Sequence, residues 1–402
     1  MEYIDKFKAF IAKPFFHKYS TICGLWILLS LISWLTKYFP GKYNNYLIFS
    51  ESFWHALNQL PLYNTYPDQY YDVFLYGPFF TLVVAPYSIM PLWMGLLTWL
   101  VSLSLSLYIA TLKLPLPKKK IIFIFWFCSH ELLTGLFMSQ VNVAIVAFIL
   151  LSFIFIEKEK DIWAAFFIML GTFIKLYGIV GLAFFFFSKH KIKFILACIS
   201  WAGFMFAAPM LFFGVDYIIE QYKAWFTELS GKNNLNLFSR MQNISFLGMV
   251  RKISGCSSYS DLYLILPGIT IFALPYLRIS QYKHLAFRLT LLASVLMFTV
   301  LFSTGSESST YIIAFIGVAL WYVASPWKRT KWDIFLMVFA FIVTSMSPSD
   351  IFPAYLRKNI IQPYALKALP CFIIWLKLSY EMYVKDYREV VLSEQINGKS
   401  CS

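Results

Sequence analysis

Gln140 and Asn142 stand two residues apart in MSQVNVAIV (138–146), at the lip of a long apolar run. Lys175 and Tyr177 are set the same way in GTFIKLYGIVGL (171–182), and Glu307 in STGSESST (303–310). Polar and charged side chains at such depth are costly and mark functional or paired groups. An ammonium beside Tyr177 and Gly178 has ring and backbone donors around it, which suits a phosphate carried by a lipid. The loop over 38–77 adds the carboxylates of Glu51, Asp68 and Asp72 among many aromatics. Aromatic faces stack on sugar rings, and a carboxylate can take a hydroxyl proton, so this loop reads as an acceptor groove. Plainer readings stand beside these: helix glue for Gln140 and Asn142, a snorkelling Lys175, and an interfacial belt of Trp and Tyr.

The elements that must position these groups follow from composition. Of 402 residues, 59% are hydrophobic and 13% charged, against about 25% charged in ordinary soluble domains. The fold class expected is an all-α polytopic membrane protein, one integral membrane domain over 1–402. The net charge of +14 reflects basic connectors between apolar runs rather than a nucleic-acid surface. The six cysteines have no paired spacing, so neither a disulfide framework nor a zinc site is expected.

Twelve apolar segments start near residues 20, 92, 121, 142, 162, 176, 193, 262, 285, 310, 332 and 368. Counted off, the basic stretches all fall on one side: Lys6 to Lys18, Lys118 to Lys120, EKEKD (157–161), KHKIK (189–193), RISQYKH (278–284) and WKRTK (327–331). The positive-inside rule makes that side cytoplasmic, with both termini there and the tail over 385–402 a polar cytoplasmic end. The first span has no cleavable signal ahead of it and is expected to remain as an anchor. The opposite side carries the first outer loop (38–77), a large loop (214–260) and a third (346–367, with Asp350 near its start). Within the first loop, Tyr46, Phe49, Phe53 and Leu57 have helical spacing, so a short amphipathic helix is expected to lie on the membrane, with Glu51 on another face. His130 and Glu131 are adjacent, hence not on one helical face, and read as a helix end. Asn243-Ile-Ser245 fits a glycosylation sequon. Glycine-rich phosphate loops, H-E-x-x-H, G-x-S-x-G and clustered metal ligands are missing from the sequence.

The stretch 138–187 resembles the middle of glycosyltransferase family 87, polytopic mannosyltransferase-like enzymes of the GT-C class that use polyprenyl-phosphate sugars. That pattern runs G-Q-x-N, an apolar span, a charged connector, a small-residue span and K-x-Y/F-P. Here Gln140, Asn142, Lys175 and Tyr177 match, while Ser139 replaces the glycine and Gly178 the proline. Upstream, Leu62, Tyr63, Tyr76, Pro78, Pro86, Pro91 and Trp99 resemble the family's LY…Y-x-P…P…LP…W segment. The match covers about the first half of the chain, and the second half agrees only in hydropathy.

The resemblance implies a GT-C-like bundle of about twelve transmembrane helices, with short amphipathic helices in the outer loops. It also implies transfer of a sugar, mannose by analogy, from a polyprenyl-phosphate donor to a glycolipid or cell-envelope glycan acceptor. The chemistry is inverting and metal-independent, with no cofactor, and the donor and the lipid bilayer are the expected partners. The setting implied is a bacterial inner membrane with the site facing the periplasm. The donor and acceptor would meet Tyr76, Gln140, Asn142, Lys175, Tyr177 and Glu307. The family's first-loop aspartate, its general base, is held here by Asn45, and an amide cannot take a proton. Glu51 or Asp72 is then expected to serve, with Asp68 and Glu307 as further carboxylates. Two other readings remain: a transporter or flippase of lipid-linked sugars, whose matching broken helices the sequence lacks, and a non-catalytic relative.

Overall fold

Every apolar run in this chain is long enough for a helix and too uniformly apolar for an alternating strand, and the regular structure of the described residues is wholly helical. The computed structural model describes residues 13–388; Lys6, Lys8 and most of the 385–402 tail lie outside them. The first helices are α1 (Tyr19–Tyr38), α2 (Asn44–Leu57), α3 (Phe80–Ser88), α4 (Leu92–Leu112) and α5 (Lys118–Phe137). Next come α6 (Asn142–Glu157), α7 (Asp161–Ile174), a 3-10 stretch (Leu176–Phe187), α8 (Lys191–Phe213), α9 (Val215–Leu235) and α10 (Phe246–Ser254). The last are α11 (Leu262–Ala273), α12 (Leu285–Leu301), α13 (Tyr311–Ala324), α14 (Lys331–Phe339, continuing as a π-helix to Met346) and α15 (Ala368–Val384).

All twelve apolar segments contain a helix at the expected place. Among the described residues, four helices, α1, α4, α5 and α8, are long and apolar enough to cross a membrane. The others are shorter: the 16 residues of α6 rise only about 24 Å, against about 30 Å of hydrocarbon. Burial separates the two groups. Helices α6, α12 and α13 are buried nearly all round, as helices apolar on every face must be at the centre of a bundle. Helix α8 turns Ile192, Ile199 and Leu211 outward, a surface that suits lipid.

The bundle has two chemically distinct ends. At one, Glu157 takes a bidentate pair from Arg288 at 2.6 and 2.7 Å, Lys189 meets Glu159 at 2.6 Å, and Arg329 meets Glu381 at 3.2 Å. These contacts gather the basic connectors from 157 onward. The start of α6, the end of α7 and the 303–310 loop meet at the other end.

Two outer-loop expectations are corrected. Helix α2 forms where the aromatic spacing placed it, but Tyr46 and Phe49 are buried in protein. The Phe49 ring packs edge-on against Tyr76, Phe80 and Trp99, so the Tyr46–Phe49 half of the stripe faces the bundle, while Phe53 is half-buried and Leu57 exposed. Asn243 is buried, and its amide oxygen accepts a hydrogen bond from the Ser245 hydroxyl at 3.0 Å, so it has no room for a glycan.

Candidate active site

The site begins with the chain break at Lys175. Helix α7 ends there because Lys175 is extended, φ −147° and ψ 123°, and the 3-10 stretch folds straight back. The fold-back is tight: a Cβ on Gly178 would lie 2.2 Å from the Gly171 carbonyl carbon. A proline, the residue of the family pattern, would carry that Cβ, so glycine at 178 belongs to the closeness of this turn. The loop before α3 docks onto the same break. Gly77 N donates to Ile174 O at 3.1 Å, and a Cβ there would strike the Phe173 oxygen at 2.2 Å. Tyr76 is thereby laid beside Lys175.

The ammonium of Lys175 donates to Asn142 Oδ1 at 2.9 Å and lies 4.8 Å from the centroid of Tyr177 and 5.8 Å from that of Tyr76. Asn142 is fully buried at the first turn of α6 and also donates from Nδ2 to Ser309 and Thr310 at 3.3 and 3.4 Å. Gln140 joins the two walls. Its Oε1 accepts from the Tyr76 hydroxyl at 2.7 Å, and its Nε2 donates to Glu307 Oε2 at 3.3 Å. Glu307 caps the short helical turn ahead of α13. The Tyr177 hydroxyl is 2.8 Å from Ser303 Oγ.

Between these walls lies a cavity of about 890 Å³, lined among others by Asn45, Asp72, Tyr76, Gln140, Lys175, Tyr177 and Glu307. Asn142 is not on the lining and instead holds Lys175 from behind. His130 and Lys367 do line it. His130 is not at a helix end but inside α5, which runs on to Phe137, and its Nδ1 is 3.0 Å from Ser345 Oγ. Lys367 had no motif around it in the sequence.

Glu51 is not on the lining. Asn45, Ile48 and Phe49 are, and their spacing of three and four residues puts them on one face of α2. Glu51 is six residues past Asn45, about 240° round the helix, and faces elsewhere. Burial raises its carboxyl above the ordinary range. Asp68 is not on the lining either. Asp72 is, and its backbone is left-handed, φ 78°, a conformation that costs a non-glycine residue free energy and recurs at functional sites. The Asp72 Oδ1 accepts from Val73 N at 2.9 Å.

The asparagine pair has a structural part here. Asn45 Nδ2 donates to Met138 O at 2.8 Å, and Asn44 exchanges two hydrogen bonds with the Tyr71 backbone, at 2.7 and 2.8 Å. The amide at 45 thus clamps the 138–142 turn, which an ionised carboxylate, having no donor, cannot do. Asn44 holds the residue next to Asp72.

Ser139, in the glycine position of the family pattern, has φ 51°. Its carbonyl accepts from Trp99 Nε1 at 2.9 Å, so the turn is pinned in the left-handed region that glycine adopts freely. Ser139→Gly is expected to stabilise the fold by roughly 1 kcal/mol, read as a higher unfolding temperature in detergent.

Fold and site together define an all-helical protein with membrane-type helices and, at one end, a largely apolar cavity that holds a lysine, a glutamine and carboxylates. The model of glycosyltransferase family 87 matches residues 74–304, more than half of the 402-residue chain, and the chain belongs to that family. No curated protein matches it. The matched stretch starts later and runs much further than the segments that carried the resemblance, past α6 and α7 to the end of α12. It includes Tyr76, Gln140, Asn142, Lys175 and Tyr177. It leaves out Asn45, Glu51 and Asp72 before it and Glu307 after it, so every candidate carboxylate lies outside the family match.

Proposed function

We propose that this glycosyltransferase is an integral membrane enzyme that moves a sugar, mannose, from a polyprenyl-phosphate donor to a lipid-linked or cell-envelope glycan acceptor. The observation that carries the reading is the setting of Lys175. Its hydrogen-bond and ring partners are a neutral amide and two aromatic rings; the Glu307 carboxylate acts on it through space without a direct bond, so the ammonium stays available to a phosphate. In this reading the donor phosphate lies at Lys175 and the polyprenyl chain runs toward lipid. The acceptor enters past Asn45 and Asp72.

Asp72 takes the proton from the acceptor hydroxyl as its oxygen attacks the anomeric carbon. The bond to phosphate breaks on the opposite face, and polyprenyl phosphate departs with its negative charge held by the Lys175 ammonium. One base and no covalent intermediate suffice for inversion. Lys175 balances the leaving group's charge without calling for a metal. Glu307 and Gln140 hold hydroxyls of the bound sugar. The chain crosses the bilayer twelve times, with both termini cytoplasmic and the cavity on the periplasmic side of a bacterial inner membrane. The basic connectors gathered at the opposite end of the bundle support this orientation.

The test is transfer by purified protein in lipid nanodiscs, supplied with radiolabelled polyprenyl-phosphate mannose and host lipid extract. Label passing into a new glycolipid is the expected result. A folded protein that transfers nothing from this or other polyprenyl-phosphate sugars would instead be a carrier or silent binder of the glycolipid.

A further inference from the structure

A second lysine reaches the cavity, and its setting is the reverse of the first. Lys367 and Glu131 are 3% and 1% exposed and 236 residues apart, yet Lys367 Nζ is 2.5 Å from Glu131 Oε1. The same ammonium donates to Ser308 O and Ser308 Oγ, each at 3.0 Å, and lies 4.9 Å from the centroid of Tyr311. The carboxylate of Glu131 cancels the charge of Lys367, whereas Lys175 has no such bonded carboxylate. Three donors of an ammonium are thereby spent on one carboxylate and on both oxygens of the residue that follows Glu307.

A buried ion pair is poor evidence of stabilisation, because removing both charges from water costs about what their attraction returns. An apolar pair would hold α5 to the segment before α15 as well. What it would not supply is a directional grip on the 303–310 loop. Among the described residues, no other long-range side-chain hydrogen bond reaches Ser308, while Glu307 depends on this loop for its place opposite Lys175.

We propose that Glu131 and Lys367 are positioning residues that fix the Glu307–Ser308 turn against the cavity, Glu131 orienting the ammonium and Lys367 holding the turn. This rests on the reading of the cavity as a transfer site. Glu131 lies within the family match, while Lys367 and Glu307 lie beyond it, so the pair ties the matched part of the chain to the carboxylate wall outside it.

The experiment compares wild type, Lys367→Met, Glu131→Gln and the double variant Glu131→Leu/Lys367→Met in nanodiscs. Three quantities are read: unfolding temperature, hydrogen exchange of peptides over 303–310, and kcat and KM with polyprenyl-phosphate mannose. Each single variant leaves a charge or dipole unmatched and is expected to unfold earlier. The double variant is expected to unfold near the wild-type temperature, yet to exchange faster at 303–310 and to lose about 10²-fold in kcat, with donor KM little changed. A double variant with wild-type exchange and full kcat overturns the proposal. Should the double variant not fold, Glu131→Gln carries the test, since it keeps the ammonium and removes the carboxylate that orients it. Exchange at 303–310 that rises above that of the rest of the chain then supports the grip, and exchange at 303–310 that changes no more than elsewhere overturns it. If the wild type transfers no sugar, the reading of the cavity fails, but the exchange data still decide whether the pair holds the loop.

Discussion

Lys175→Ala is expected to lower kcat for sugar transfer by about 10²–10³-fold, the usual loss when one preorganised charge-stabilising group is removed, and to weaken donor binding as well. The leaving polyprenyl phosphate gains charge as its bond to the anomeric carbon breaks, and Lys175 is the ammonium placed between the Tyr76 and Tyr177 rings to receive it. The stability of this variant should fall modestly. Removing Lys175 leaves one hydrogen-bond acceptor, the neutral Asn142 Oδ1, without its donor, and one unsatisfied acceptor costs about 1–3 kcal/mol. Lys367→Met, by contrast, strands the buried Glu131 carboxylate, which costs about 3–5 kcal/mol. Two lysines on one cavity therefore separate by assay: Lys175 variants lose activity with the smaller fall in unfolding temperature, and Lys367→Met shows the larger one. A Lys175→Ala protein with full donor affinity and turnover would remove the phosphate from that end of the cavity.

Asp72→Asn is expected to cost about 10²–10⁴-fold in kcat, the range for loss of a general base, with donor KM unchanged. Asparagine tolerates the left-handed backbone that Asp72 occupies, so the substitution removes the proton acceptor while keeping the turn. Glu51→Gln should leave kcat near wild type, since Glu51 faces away from the cavity that Asn45, Ile48 and Phe49 line. Steady-state rates of the two variants decide the point. Loss on Glu51→Gln with retention on Asp72→Asn would move the base to α2 and require the helix to turn during catalysis.

Asn45 shows how a departure from a family pattern can be absorbed. Its amide donates to Met138 O and so braces the turn that carries Ser139 and Gln140. That role needs an N–H and excludes an ionised carboxylate. The base, if it is to act in this loop, must then come from a residue with a different backbone anchor. Asp72 has one through the Asn44 clamp on Tyr71.

The twelve helices could be read from the chain because each is a local property: an apolar run bounded by basic residues, Pro or Gly. The same holds for Gln140, Asn142, Lys175 and Tyr177, which stand out as rare polar groups within such runs, and the structure brings all four to one end of the bundle. Helix phase was less legible. The aromatic stripe of α2 was visible, but whether it met lipid or protein depended on Tyr76, Phe80 and Trp99 arriving from other segments. Among the described residues, four helices have the length and apolarity to cross a membrane by themselves, and the short α6, α12 and α13 are helical at the centre of the bundle because neighbours bury them. Pairing between distant residues was not legible at all. Glu131 and Lys367 carry no motif, and a contact across 236 residues leaves no periodicity behind. By itself the sequence determined the helical class, the positions of the apolar helices and the polar groups that would gather, since hydropathy and spacing act within one segment. It did not give the polar helix α9 and the short α10, in the stretch read as a loop. Only the tertiary structure decided which carboxylate faces the cavity and which lysine keeps its charge, because both depend on the rotation of helices and on partners that come from elsewhere in the chain.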